Sequence, residues 1–489
     1  MDRQQTMTGL ALPPCVWQGF LLWMALSCLG ASAFAQPDSL WSRMYGQYGE
    51  AWGISALQTA DGGYLLTGSI EQGNDWNFYL QKTAANGGTV WERSFGMGRY
   101  DGGGYLAPAR DGGYVLAGTV WTKDMYLLKI SAGGDSLWSH EYGRQMTDNC
   151  TAIEPTVDGG FLLAGYRQTG LTVLEGMILK TDANGDSLWS RIFDSEHVEA
   201  FHAVRQTPDG GYILSGQTND SSAGGYDVWL MKTDSMGNTI WQRIYGGLGN
   251  DIFAHVQLCP DGGYIVAATT TSYGAGGEDI WLLKTNAQGD SLWSKSFGGT
   301  SDDETHSVRS LPDGGFVIGA HTASYGGDDQ FWLIRMNADG DSLWSRVFGT
   351  AGAEWCNDVL ATTDGGFALF GAVSLLNMHQ AAFLLKTGPD PLLSAGASFS
   401  LPPSSFTLSN YPNPFNSSTW VSFDLPKAGS ASLKVFDVLG REVAVLRDGP
   451  MPAGSHRLLL DGTGLASGSY VLRLDAGGAA RATKITLLK

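Results

Sequence analysis

The chain of 489 residues is 43% apolar and only 16% charged, with 68 glycines, 17 tryptophans and a formal net charge of −18. This composition fits short strands, many turns and aromatic packing. The acidic balance argues against nucleic acid and anionic membrane as partners.

In chain order, residues 1–35 carry one Arg, an apolar run from Phe20 to Leu29, and the small-residue site Ala33-Phe34-Ala35 before Gln36. That is the pattern of a cleaved signal peptide, and the run is too short for a transmembrane helix. No later stretch is long and apolar enough to span a membrane. After cleavage Cys150, Cys259 and Cys356 remain. Cys150 and Cys356 stand in distant parts of a repeat and lie beyond bridging reach, so repeats rather than disulfides must stabilise the exported chain.

From Asp61 onward an Asp-Gly-Gly-aromatic step recurs at Asp61, Asp111, Asp158, Asp209, Asp261, Asp313 and Asp364, with spacings of 50, 47, 51, 52, 52 and 51 residues. Each copy reads as four short strands. In the fifth, Asp251–Leu258 is followed by a Pro-Asp-Gly-Gly turn and a strand from Tyr264; a Gly-rich loop, a strand from Ile280, a hairpin and a strand from Ser291 complete it. Four strands at this period predict β-propeller blades, whereas ankyrin-type and tetratricopeptide units have shorter, helical periods.

Two series within the repeat are out of step. The third strand ends in Lys82, Lys129, Lys180, Lys232, Lys284, Arg335 or Lys386, and the fourth carries Trp41, Trp91, Trp138, Trp189, Trp241, Trp293 or Trp344. Trp41 precedes every Asp-Gly-Gly, and no Trp follows Lys386. The segment from Asp38 to Tyr45 therefore reads as the missing outer strand of the last copy, predicting a seven-bladed ring over 36–388 closed by its N-terminal strand. The repeated tryptophans are expected in the core, each contributing on the order of 1.5 to 3 kcal/mol by burial. The seven acids of Asp-Gly-Gly and the seven bases suggest repeated ion pairs or turn caps.

At the opposite face, the starts of the first strands carry Asp101, Asp148, Glu199, Asp251, Asp303 and Glu354, with Glu50 one residue out of register. The loops before the third strands add Asp75, Asp124, Glu175, Asp227, Asp279 and Asp329. These acids are expected either to cap backbone amides or to form an acidic binding mouth. No cofactor is called for, and calcium is the one ion such a mouth would suit. His202 and His306 share a register near it, with His255 one residue further on, but no short metal-binding spacing accompanies them. No nucleophile elbow, phosphate loop or zinc-protease helix is present, so no catalytic residue is assigned.

Residues 389–405 form a Pro- and Ser-rich linker, beyond which the repeat register is lost. Tyr411-Pro-Asn-Pro-Phe-Asn, Leu433-Lys-Val-Phe-Asp-Val-Leu-Gly-Arg, Leu465-Ala-Ser-Gly-Ser-Tyr and Lys484-Ile-Thr-Leu-Leu-Lys follow. In that order they resemble the C-terminal sorting domain of type IX secretion, with Pro412, Asn413, Pro414, Gly440, Gly468, Tyr470, Lys484 and Lys489 on the matching motifs. The resemblance implies an immunoglobulin-like sandwich over 406–489, recognition by the type IX machinery, and delivery outside a Gram-negative cell of the Bacteroidetes and related groups, released or held at its surface. Segments such as Leu179-Lys-Thr-Asp-Ala-Asn-Gly-Asp-Ser-Leu-Trp are similar to quinoprotein-like propeller repeats, but the adjacent Cys pair of the quinone enzymes is absent.

The residues from the signal peptide to the sorting domain thus predict an all-β secreted or cell-surface protein. It would bind a glycan or a protein ligand. The alternative is an extracellular hydrolase or lyase that uses carboxylates at the propeller mouth on polysaccharide or peptide.

Overall fold

The structure, a computed structural model, describes residues 37–392 and 408–488 except for the stretches 47–49, 97–100, 121–123, 144–146, 171–172, 194–196, 221–223, 327, 351, 376–378, 391, 412–414, 426–428, 437–440, 453 and 477–478. The expected signal peptide, most of the linker, and Pro412, Asn413, Pro414, Gly440 and Lys489 lie outside the described residues. Two compact units, 1–394 and 395–489, divide the chain. Among the described residues every regular element is a β-strand, and no helix is long and apolar enough to cross a membrane.

The first unit holds seven four-stranded antiparallel sheets among the described residues. Six follow sequence order, as in the fifth, with strands Asp251–Leu258, Tyr264–Thr270, Asp279–Thr285 and Ser291–Phe297. The seventh takes its outer strand from the other end of the unit. Ser39–Tyr45 pairs antiparallel with Gln380–Pro389, with Trp41 opposite Lys386, the register that Trp241 and Lys232 share in the fourth sheet.

The inner strand of each sheet packs on the sheet before it, and the succession returns from the seventh sheet to Ala51–Gln58 of the first. Each junction has its own apolar cluster. Phe201 and Trp229 of the fourth sheet, stacked at 4.5 Å, join one cluster with Ala152, Leu162 and Ile178 of the third, and Ala51, Tyr64 and Tyr79 pack on Phe370 and Leu384 between the first and the seventh. Polar ties cross the same junctions. Asp358 accepts hydrogen bonds from Ala56 N–H in the first sheet and from the Ser307 hydroxyl and Arg309 in the sixth, at 3.1, 3.0 and 2.6 Å.

The repeated phrase is one ion pair and its frame. Six lysines meet the acid of their own Asp-Gly-Gly at 2.7 to 3.0 Å, and Arg335 meets Asp313. In the fourth copy the buried Lys232 also donates to Thr233 O at 2.9 Å, and Asp209 accepts the Gly211 N–H at 3.0 Å. Burial opposes charge on Asp209, but hydrogen bonds from Thr207, Lys232 and Gly211 hold its carboxyl down to about 2. The two glycines serve different ends. Gly210 adopts φ +82° with open space around it. At Gly211 a Cβ would stand 2.2 Å from Thr233 O and 2.6 Å from Lys232 Nζ.

The tryptophans differ from the expectation of a buried series. Trp344 is buried, but the other six are half-buried on outer strands. Trp189, for example, presses one edge on Gly237 of the next copy and carries Arg191 5.4 Å above its ring. They are clamps between neighbouring copies, half in water because an outer strand has no sheet beyond it. Trp344 is covered because Asp390, inside the stretch expected to be linker, accepts its Nε1–H at 3.3 Å and also pairs with the buried Arg335 at 3.0 Å.

The second unit has two antiparallel sheets around one apolar core. Leu408–Tyr411, Ser418–Leu425 and Gly454–Asp461 form one; Glu442–Met451, Gly429–Phe436, Gly468–Ala476 and Ala479–Leu487 form the other. Val421, Phe423, Leu433, Leu472, Leu474 and Ile485 fill the space between. Gly468 opens a strand of the larger sheet, Lys484 lies on its last strand, and Tyr470 is buried with its hydroxyl donating to Ala466 O at 2.7 Å.

The two glycines of one turn should respond differently to the same substitution. Gly210→Ala should cost about 1 to 2 kcal/mol, the backbone cost of a left-handed residue. Gly211→Ala should cost about 3 kcal/mol, because the lysine and its carbonyl must be displaced. Urea denaturation of the two variants beside the parent measures both.

Candidate functional site

The inner strands alternate between residues facing the core of their junction and residues facing inward. Each also carries a register shift. In six sheets the bulge falls at Ile54, Gly104, Thr151, His202, His306 or Asn357. In the fifth it spans Phe253 and Ala254. A bulge re-aims the residue it displaces. Phe253 has φ +55°, the one non-glycine positive φ among the described residues.

Equivalent positions of adjacent copies therefore meet. Phe253 lies between His202 and His306, at ring distances of 5.7 and 5.0 Å, and His255 is 6.4 Å from His306. The three histidines singled out in the sequence thus form one group with Phe253 and two further residues, all three missed by the sequence reading. His321, on Phe316–Thr322, stacks on His306 at 6.0 Å and is opposite Glu304 in the strand register. The Glu304 carboxylate lies 3.7 Å from His321 Nε2 and 3.9 Å from His306 Nε2. Trp52 and Trp355 add an aromatic pair 5.7 Å apart. The missed residues are non-repeating, and comparison of the copies at each inward register would have found them.

Protonation follows surroundings. Burial pushes His202 down to about 4 despite a 3.3 Å hydrogen bond with Gln217. His306 is also down to about 4, through burial and then through the neighbouring His321. The adjacent His321 ring holds Glu304 low, whereas burial and the adjacent Glu304 carboxylate raise Glu278 well above the ordinary carboxylate range. Among the described residues no group of three or more His, Cys, Asp or Glu is arranged to hold a metal ion.

All six residues of the expected acidic mouth are buried: Asp101, Asp148, Glu199, Asp251, Asp303 and Glu354. Asp148, Asp251, Asp303 and Glu354 show how such acids are held. Asp148 takes a two-point bond from Arg167 at 2.7 and 3.1 Å. Asp251 accepts Gly247 N–H and the Ser272 hydroxyl, and Asp303 accepts Gly299 N–H and the Ser324 hydroxyl, all at 2.7 to 2.9 Å. Glu354 accepts Thr350 N–H at 2.7 Å. Of the loop acids, Asp75 is exposed, Asp124, Glu175 and Asp329 are half-buried, and Asp227 and Asp279 are buried. Cys150, Cys259 and Cys356 are buried free thiols.

A cavity of about 470 Å³ opens among the first three sheets. Trp76, Tyr105 and Tyr166 supply aromatic faces, and Asn149 and the backbone of Gly102 and Gly103 supply polar groups. All of these are at least partly accessible.

Residues 409–487 match the family described as the secretion system C-terminal sorting domain. The protein thus carries the address of a type IX cargo, sent to the extracellular space or the cell surface. No curated protein matches the chain. Similar solved structures include a fungal alcohol oxidase of the AA5 family in complex with copper, with TM-score 0.46, 11% identity and coverage of 93% of this chain and 100% of that one. The β-propeller domain of the Trilobed protease from Pyrococcus furiosus gives 0.41, 8%, 69% and 93%. Sqt1 from Chaetomium thermophilum gives 0.41, 11%, 72% and 99%. At such scores these likenesses say nothing of this chain's chemistry.

The depressed His202 sets a direction for acid sensitivity. An unfolded His titrates near 6.5, roughly, so between that value and about 4 the unfolded chain binds a proton that the folded chain refuses. The stability from neutral His202 is complete above the upper value and is lost as pH falls through the window. Melting temperatures between pH 7 and 5 should fall less steeply for His202→Gln than for the parent.

Proposed function

We propose that the protein is a secreted binding protein whose first unit is a closed seven-bladed propeller. Its last blade is completed by Ser39–Tyr45 and its chain runs to Asp390, with a signal peptide over 1–35 and a sorting domain over 406–489 at either end. The observation that carries the binding role is the cavity among the first three sheets. Three aromatic faces with an amide and bare glycine backbone at its wall suit a glycan, whose rings present apolar faces and hydroxyl edges. Asp251, Asp303 and Glu354 serve as loop anchors in this reading, because their neighbours are amides and hydroxyls of nearby loops.

A specific observation favours a second reading, an extracellular hydrolase or lyase. Glu278 and Glu304 are neighbouring carboxyls whose surroundings drive their proton affinities apart, the condition for an acid and base working together.

Glycan-array binding by the first unit, displayed in the full chain, separates the two. In the binding reading, Trp76→Ala and Tyr166→Ala each weaken binding by roughly 30-fold, the loss of an aromatic anchor, and bound glycans are recovered intact. Turnover of an array ligand that disappears in Glu278→Gln would establish the enzyme instead.

A further inference from the structure

Where one copy hands over to the next, the start of its third strand and the start of the following first strand bring two polar side chains together beside one glycine. The copies are controls for one another. In the first, the residue against Gly96 is Asn77 and the following acid is Asp101; in the sixth, Gln330 lies against Gly349 and the acid is Glu354. In the second, Asp124 lies against Gly143, and Arg167 neutralises the following Asp148. At the first and sixth of these junctions an amide stands in place of a second acid, and at the second an arginine neutralises one of the two.

The fifth junction has neither. Asp279 Oδ1 and Asp303 Oδ2 converge on Gly298, at 1.8 and 2.8 Å from the place a Cβ there would occupy. Asp279 is 2% exposed and Asp303 fully buried. Asp279 Oδ2 accepts Ala275 and Gly276 N–H at 2.9 and 3.0 Å, while Asp303 Oδ2 takes Gly299 N–H and the Ser324 hydroxyl, both at 2.7 Å. Asp279 Oδ1 and Asp303 Oδ1 have no hydrogen-bond partner, and no basic side chain pairs with either residue among the described residues. Asp227 and Asp251 repeat the convergence around Gly246, at 1.6 and 2.8 Å.

Two buried carboxylates that keep unsatisfied oxygens require a positive charge from outside the chain or a shared proton. We propose that Asp279 and Asp303 bind a hard divalent cation, calcium in class. The converging donors are all oxygen, with no nitrogen or sulfur to favour a transition metal, and their glycine-rich loops suit the variable coordination of calcium. The ion joins the fifth copy to the sixth and neutralises Asp303 as Arg167, within one sheet, neutralises Asp148. It is independent of glycan binding.

The test uses the full chain. Stripped with EDTA and returned to calcium at about 1 mM, the range of extracellular sites, it should melt several degrees higher. Terbium, as a calcium probe, should luminesce on excitation of Trp281, two residues from Asp279, and calcium should quench that signal by competition. Asp279→Asn and Asp303→Asn should each lower the number of ions bound by one, and Asp75→Asn, at an exposed loop acid, should leave it unchanged. A parent chain indifferent to calcium would overturn the proposal, whatever the variants do. So would full calcium binding by Asp279→Asn, which would place the ion elsewhere. Asparagine variants that are more stable than the parent, with no calcium response in either, would assign the pair a shared proton.

Discussion

A lysine ammonium held over an Asp-Gly-Gly turn is the contact on which the repeating unit depends. The ammonium is buried, so it needs its carboxylate and its carbonyl. It occupies the space where a second side chain would begin, so Gly211 and its equivalents must be glycine. The carboxylate also closes the turn by accepting the glycine N–H. Turn, second strand and third-strand end are thereby locked together in each copy. The outer Trp then reaches across to the hairpin glycine of the next copy, so that local geometry is passed from one sheet to its neighbour.

With that frame constant, the inward registers can vary without disturbing the fold. The bulge in each inner strand turns one residue away from the ladder, or two in the fifth sheet, and adjacent copies present these residues to one another. Where they are small, as at Gly104 and Thr151, the wall is open and the cavity of the first three sheets results. Where they are His202, His306 or the strained Phe253, aromatic and titratable groups meet instead. One repeated backbone feature produces two kinds of local chemistry.

Much of the first unit was legible. The strand bounds of the fifth copy, the return of Trp41 beside Lys386 and the seven acid–base pairs all follow from repetition, because a residue present in every copy does the same work in each. The fates of the inward and junction residues were not legible. The acids at the first-strand starts could be read either as caps of backbone amides or as a binding mouth, and only the packed loops show Asp251 and Asp303 bonded to amides and hydroxyls beside them. The tryptophans looked like core but lie at a half-open edge. Asp390 looked like linker and completes a buried pair with Arg335.

The sequence by itself determined the all-β repeat, the pairing of its two ends and the sorting domain of residues 409–487. These depend on local turn chemistry and on spacing, which are properties of a linear chain. Only the tertiary structure decided which variable residues share a site. His202, Phe253, His306 and His321 are distant in sequence and meet only when the sheets pack side by side. The same packing leaves Asp279 facing Asp303 without the arginine or amide found at other junctions, because charge balance at a junction is a property of two copies together.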